Sequence, residues 1–378
     1  MKIGFYSSSH LEDKKNWSGT MFKMYEQMIS LDYEVERIPK LELSNQDKKK
    51  LDKIEKLYNQ IFKRGYNRHL NIFSSKKIGK QIESYLKNKN FDVIFVPTYI
   101  NDFAYVKTEI PIIYLNDANV GQLLNYYPAY SGFGVLSKLE TKYIEKKFLK
   151  KSKVAIFPSE WASDFAVNQY NIEKNKVYTL KFGANIIVPN QLQKKEQNNK
   201  FTFLFLAVDW ERKRGGLVYE SLKILHEKGY PINMKIIGCV PSIDENWITI
   251  IPFLNKNSTE EFEQLQNHLF NSDFLFVPSK AECFGIVFCE AFGYGIPVIS
   301  TNTGGIGTIV TDSYNGLLLA KNASAADYAN AIEHLLNHPE LISKMSNNAR
   351  KKYEQELNWE KWGKDFERII KKFITINE

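Results

Sequence analysis

Two acids, Glu282 and Glu290, stand eight positions apart in the stretch KAECFGIVFCEAFGYGIPVISTNTGG, residues 280–305. The apolar run Phe274-Leu275-Phe276-Val277 stops at Pro278-Ser279, and a second run, Val298-Ile299-Ser300, follows the turn Gly295-Ile296-Pro297. This pattern predicts strand, loop, helix, turn, strand. In a parallel sheet, the loop after the first strand opens at the carboxyl edge, where ligands bind in open α/β folds. If Gly285 starts the helix, Glu282 precedes it and Glu290 lies inside it, about 12 Å away at 1.5 Å per residue. Between them, unpaired N–H groups at the positive end of the helix dipole make an anion site. Each acid could then accept hydroxyl hydrogen bonds from one end of an extended ligand with phosphate in the middle, the layout of a sugar nucleotide. The same spacing also suits a plain strand-to-helix junction with a capping acid and a solvated Glu.

Three basic residues form a second constellation. The run 201–208, FTFLFLAV, has the continuous apolar character of a central parallel strand. Asp209-Trp210-Glu211-Arg212-Lys213-Arg214-Gly215-Gly216 follows, then a helical pattern. Cations at the amino end of a helix are disfavoured by its dipole, so three in a row imply an expected anion. Arg212 can grip phosphate through its fork and Lys213 as a point charge. Earlier in the chain, Gly19 in Trp17-Ser18-Gly19-Thr20 permits close backbone approach at a strand-to-helix turn, or is simply a turn residue. Asp117, after the strand 110–115, could accept a hydrogen bond from a ligand hydroxyl or cap the helix that follows.

The elements that must hold these residues alternate. Strands are expected at 2–6, 33–38, 93–96, 110–115, 154–157 and 177–182, then at 201–208, 234–237, 248–254, 274–277, 298–300 and 316–319. Helical patterns separate many of them, which gives two parallel-sheet α/β domains. The polar segment 188–200, VPNQLQKKEQNNK, reads as the linker. Domains are therefore expected at 1–187 and 201–358. Ser258 with Glu261 three residues on predicts a capping box at a helix start. The last helix, from Trp359, carries Trp362, Phe366, Ile369-Ile370 and Phe373 on one stripe.

The whole chain narrows the classes. It has 378 residues, 43 % of them hydrophobic, enough for two cores. Three cysteines, Cys239, Cys283 and Cys289, lack a paired spacing and argue against a disulfide framework. No apolar run reaches the roughly 20 residues of a membrane span, and the start MKIGFYSSS lacks a signal-peptide layout. A cytoplasmic location is expected. Net charge is +8, and between residues 47 and 89 thirteen Lys and Arg face four acids. That segment, with Leu51, Ile54, Leu57, Tyr58 and Ile61-Phe62 at helical steps, suits packing against a core or an anionic membrane surface on the inner face. Its aromatics are not interleaved as a nucleic-acid stacking platform requires, so no nucleic acid is expected. No Asp-x-Asp or His/Cys cluster appears, so neither a metal nor a cofactor is expected.

Taken together, Glu282-x7-Glu290 with Phe284-Gly285, Glu290-Ala291, Gly295-Ile296-Pro297-Val298 and Gly304-Gly305 resembles the retaining family-four glycosyltransferases of GT-B fold. The resemblance extends to 157–185 and 209–216 and is weakest at 40–90. It implies two Rossmann-like parallel-sheet domains facing across a cleft, with the last helix (359–378) crossing back onto the first. It implies transfer of a hexose or N-acetylhexosamine from a UDP- or GDP-sugar to a glycan, lipid-linked or protein acceptor, as in bacterial surface polysaccharide synthesis. In that pattern Glu282 orients the sugar, Glu290 holds the ribose, two of the three basic residues Arg212, Lys213 and Arg214 bind the diphosphate, and Gly19 faces it. Phe284, Gly285 and Ile286 belong to the donor motif, and Phe253 and Lys256 lie where the nucleobase loop is expected. Three positions depart from the pattern: Cys283 and Arg214 stand where Gly is usual, and Asp117 where His is frequent near the transferring sugar. The missing His also leaves open a non-catalytic nucleotide-sugar-binding partner subunit.

Overall fold

The computed structural model describes residues 1–191 and 200–374. The chain divides into two compact units. One comprises Met1–Asp13, Met24–Leu180 and the segment from Asp365, the other Lys14–Lys23 and Lys181–Lys364. The expected linker at 188–200 falls largely on residues 192–199, outside the described residues. The units divide the chain differently from the expected domains. Residues 14–23 cluster with the second unit, and the Trp359–Ile374 helix contributes to both.

The first unit is built on a six-stranded, wholly parallel sheet in the order β2-β1-β3-β4-β5-β6. Its strands are β1 (Lys2–Ser7), β2 (Glu34–Pro39), β3 (Val93–Pro97), β4 (Ile112–Leu115), β5 (Val154–Phe157) and β6 (Val177–Thr179). Register is set by pairs such as Ile3 with Val35 and Val93, and Phe95 with Ile113. The central strands are buried on both faces, as βα crossovers require. Tyr114, Phe148 and Phe157 pack edge to face at 5.2 and 6.0 Å in this core.

The second unit repeats the plan in the order β12-β11-β10-β7-β8-β9. Its strands are β7 (Phe201–Leu206), β8 (Ile232–Ile237), β9 (Ile248–Ile251), β10 (Phe274–Phe276), β11 (Val298–Thr301) and β12 (Gly316–Leu319). Phe203 and Phe274 stack at 4.9 Å across the β7–β10 pair. Chain order reverses there. β8 lies on one side of β7 and β10 on the other, so the crossovers diverge and leave a crevice beyond the strands' carboxyl ends. The loops that follow β7 and β10 open at that crevice.

Several strands are shorter than expected: β4 starts at Ile112 instead of 110, β7 ends at Leu206 instead of 208 and β10 at Phe276 instead of 277, and two others stop three residues early. β6 ends at Thr179 instead of 182, and β9 at Ile251 instead of 254. Both are edge strands with one pairing partner, and the ladder stops where the neighbour stops.

Candidate active site

At the β7/β10 switch point a cavity of about 410 Å³ opens within the second unit, a size in the range of small-molecule sites. Its walls come from the loops after β7 (Val208, Arg212, Lys213), β9 (Phe253, Lys256) and β10 (Glu282) and from the first turns of the Ile286–Gly293 helix.

The loop after β7 is braced by Asp209. Its carboxylate accepts the Arg212 backbone N–H at 3.0 Å and the Arg212 Nε–H at 3.1 Å. That backbone hydrogen bond, with the guanidinium charge, holds the Asp209 carboxyl below its usual range. Arg212 also donates from Nη1 to the Ala281 carbonyl (3.1 Å), and its own carbonyl accepts the Lys280 N–H (2.8 Å). The two loops are thereby tied together. Lys213 forms an ion pair with Glu282, whose carboxylate also accepts the Ser279 hydroxyl at 3.2 Å and lies 4.0 Å from Arg212 Nη1. Both Lys213 and Glu282 are buried, so each compensates a charge that would otherwise be costly to desolvate.

Gly285 is the N-cap of the Ile286–Gly293 helix at φ 92°, a left-handed conformation. A Cβ there would also lie 2.5 Å from the Phe288 ring, so only glycine turns the chain from the Glu282 loop into the helix. One turn in, Glu290 is 2 % exposed and bonds Lys256 Nζ at 2.5 Å. The helix opening, with its unpaired N–H groups, thus stands between two carboxylates, each held by a lysine.

Lys14, Lys15 and Ser18 also line the cavity. They belong to a strap in which Trp17, Ser18 and Gly19 are all left-handed (φ 49°, 57° and 94°). Two non-glycine residues in that region cost of order 1–3 kcal/mol each, strain that collects at binding sites. Asn185 holds the strap, donating from Nδ2 to the Ser18 carbonyl and the Thr20 hydroxyl (3.0 Å each), while the Trp359 indole N–H donates to its Oδ1 at 3.1 Å.

The structure brings Glu282, Glu290, Arg212, Lys213, Gly285, Ile286, Phe253 and Lys256 around one cavity. Arg214 is elsewhere. It donates to the Lys321 carbonyl at 2.8 Å and is not among the cavity's walls, which leaves Arg212 and Lys213 as the basic pair of that run. Phe284 is buried and packs against Phe182 at 5.3 Å, supporting the loop from behind, and Gly19 adjoins Ser18 without lining the cavity itself. Asp117 lies in the first unit, after β4. Of its two readings, capping the next helix is corrected: the N-cap of Val120–Leu123 is Asn119, whose backbone N–H donates to Gln122 Oε1 at 3.2 Å. The box expected at Ser258 is also half formed. Ser258 accepts the Glu261 N–H, but the Glu261 carboxylate accepts from Asn255 instead. Sequence reasoning missed Lys14 and Lys15. The available signal was a lysine pair one residue before the Trp17-Ser18-Gly19 turn. All three cysteines are buried and outside any disulfide, and burial pushes the Cys289 thiol well above its usual range. Among the described residues, no group of His, Cys, Asp or Glu could hold a metal ion, and no helix is long and apolar enough to cross a membrane.

Residues 189–352 match the family model described as glycosyl transferases group 1. That region is a group 1 glycosyl transferase domain, and the two parallel-sheet units together make the GT-B fold. An uncharacterised glycosyltransferase of Methanocaldococcus jannaschii is 37 % identical over 35 % of this chain and 39 % of its own length. CapM, a capsular polysaccharide biosynthesis glycosyltransferase of Staphylococcus aureus, is 25 % identical over 65 % of this chain and 62 % of its own. The chain thus spans less than two thirds of each. Among solved structures, HepE of Anabaena in complex with UDP and glucose superposes with a TM-score of 0.64, at 14 % identity over 98 % of this chain and all of that one.

Proposed function

We propose that this protein is a retaining glycosyltransferase that moves a hexose or N-acetylhexosamine from a UDP- or GDP-sugar to an acceptor hydroxyl on a glycan, lipid-linked or protein acceptor. Its setting would be the synthesis of bacterial surface polysaccharide, glycolipid or glycoprotein glycans. The observation that carries this reading is the pairing at the cavity: Lys213 with Glu282 at one side, Lys256 with Glu290 at the other, and a helix amino end between them. A sugar diphosphate-nucleoside fits that order of groups. The capsular relative and the UDP-bound structural neighbour support it.

In this reading the diphosphate lies against the helix N–H groups, and Arg212 and Lys213 oppose the charge that grows as the C1–O(phosphate) bond breaks. Glu282 accepts hydroxyl hydrogen bonds from the sugar and offsets positive charge at C1. Glu290 accepts the ribose hydroxyls. The acceptor oxygen bonds to C1 on the face the phosphate leaves, and its proton passes to the departing phosphate oxygen, which retains configuration without a covalent enzyme intermediate. Two cationic side chains and the helix end supply the electrostatic stabilisation, so transfer proceeds without a metal.

A panel of UDP- and GDP-sugars, read by thermal shift and then by release of nucleoside diphosphate, tests this. One donor should raise Tm by mass action and be turned over, with Glu282→Ala abolishing turnover. Binding without hydrolysis or transfer in any acceptor extract would favour the second reading, a nucleotide-sugar-binding partner subunit, which Asp117 in place of a histidine motivates. No shift with any donor would end both.

A further inference from the structure

The first unit presents an apolar face that nothing in it covers. On the Asn45–Phe62 helix, Leu57, Ile61 and Phe62 are 57 %, 61 % and 45 % exposed. On the Val135–Lys151 helix, Val135, Leu136 and Leu139 are 74 %, 55 % and 57 % exposed. The second helix is apolar on two sides. Ile144, Phe148 and Leu149 are buried in the core, while Val135 and Leu139, four residues apart, share the outer stripe. The two exposed sets adjoin. The Gly65 N–H donates to the Gly132 carbonyl at 3.1 Å, the Gly134 N–H donates to the Gly65 carbonyl at 3.0 Å, and the Ser137 N–H donates to the Tyr58 hydroxyl at 3.2 Å. The carboxyl end of one helix therefore lies beside the amino end of the other.

The charge around this face is mainly positive. Lys50 and Lys53 precede Ile54 and Leu57 by four residues and extend the same stripe, and Lys138 and Lys142 flank Leu139. The acids of the first helix are already engaged: Asp52 and Glu55 by Arg68, at 2.9 and 3.2 Å, and Asp47 by Lys77, at 3.2 Å. Among the described residues, Lys50, Lys53 and Lys56 have no acid within ion-pair distance. The rest of the basic segment is different. On the Ile72–Leu86 helix, Ile78, Ile82 and Leu86 are buried in the core, so that helix has no free apolar face to offer.

We propose that this two-helix face is a docking surface for an anionic lipid bilayer, with Leu57, Ile61, Phe62, Val135, Leu136 and Leu139 entering the headgroup–acyl boundary and the lysines meeting lipid phosphates. Exposed leucines, isoleucine and phenylalanine ringed by unpaired lysines are what an interfacial anchor requires. Protein–protein interfaces are depleted in lysine, whereas lysines rim this apolar stripe. The inference is independent of sugar transfer, and a protein that binds vesicles but transfers nothing would leave it standing.

The test is co-sedimentation of the full chain with phosphatidylcholine vesicles, with and without phosphatidylglycerol. The wild type should pellet with the anionic vesicles and remain in solution with the neutral ones. Lys50→Glu with Lys53→Glu should lower partitioning by more than about tenfold at low salt, at about fivefold per lysine removed. Leu136→Ser with Leu139→Ser should lower it by about tenfold or more. All four positions are solvent-facing, so both variants should keep the wild-type Tm. A wild type that does not pellet overturns the proposal. So does a leucine variant that pellets as well as wild type, because charge alone would then explain binding. A wild-type dimer that the leucine substitutions convert to monomer, without vesicle binding, would assign the face to a second copy instead.

Discussion

Lys213 has two roles that pull apart when a ligand arrives. In this structure it neutralises Glu282, with both side chains nearly removed from solvent, at 11 % and 12 % exposure. With a diphosphate bound it must also answer the phosphate charge. Lys213→Met removes the nearest cation from Glu282 and leaves it Ser279 and the more distant Arg212. Breaking a buried pair from one side costs about 3 kcal/mol or more. Denaturant unfolding should therefore show Lys213→Met destabilised by about that amount and the double variant with Glu282→Gln restored towards wild type. Transfer should fall by about 10²–10³ in Lys213→Met and should not recover in the double variant. Stability and activity that recover together would mean that the pair only holds the loops in place. The acids and the basic run were legible in the sequence because their chemistry is local to one turn. Which basic residue turns inward was not legible. Arg214 is itself left-handed at φ 58°, and that backbone choice sends its side chain to the Lys321 carbonyl.

At the scale of elements, the β10 loop and its helix depend on Gly285. Gly285→Ala should cost about 1–3 kcal/mol through the left-handed backbone alone, with the Phe288 ring adding to it, read as a drop in Tm. Unchanged Tm would mean the turn relaxes freely. In the first unit, the segment after Asp117 is clamped differently. Glu145, wholly buried on the Val135–Lys151 helix, accepts the N–H groups of Val120 (2.6 Å) and Gly121 (2.8 Å) and the Tyr170 hydroxyl (2.5 Å). Burial outweighs these donors and raises its carboxyl from an ordinary 4.5 to about 7. The folded state therefore holds a proton between those values that the unfolded chain has lost, and stability falls as pH rises through that window. At about 1.4 kcal/mol per unit the span is about 3 kcal/mol. Unfolding free energies from pH 5 to 8 should show this decline in wild type and lose it in Glu145→Gln, whereas parallel profiles would refute it. Strands were readable because a strand buried on both faces is apolar throughout, as in Phe201–Leu206. Caps were less so. Several polar residues near a helix start compete for the same N–H groups, and at Val120 and Gly121 Glu145 takes them ahead of Asp117.

At the scale of the molecule, the assignment of residues to units makes a claim that chain order alone does not. Lys14–Lys23 precedes nearly all of the first sheet in sequence, yet it clusters with the second unit, where Lys14, Lys15 and Ser18 line the same cavity as Glu282 and Glu290. No periodicity signals this, since the segment is a short turn entering a helix, and its position depends on Asn185, more than 160 residues away. A nucleoside diphosphate bound there should stabilise the residues that surround it and leave unrelated strands alone. Ligand at about 100 times its Kd contributes about 2.7 kcal/mol to the state that binds it, enough to slow amide exchange by local opening about a hundredfold. Hydrogen exchange with saturating UDP, or GDP if that is the nucleotide bound, should therefore slow in two segments far apart in sequence, 14–20 and 286–293. Exchange across β3, β4 and β5 should stay as in the free protein. Protection confined to 286–293 would detach the strap from the site, and protection centred on β3 to β5 would move the nucleotide to the other unit and overturn the placement of the cavity's function.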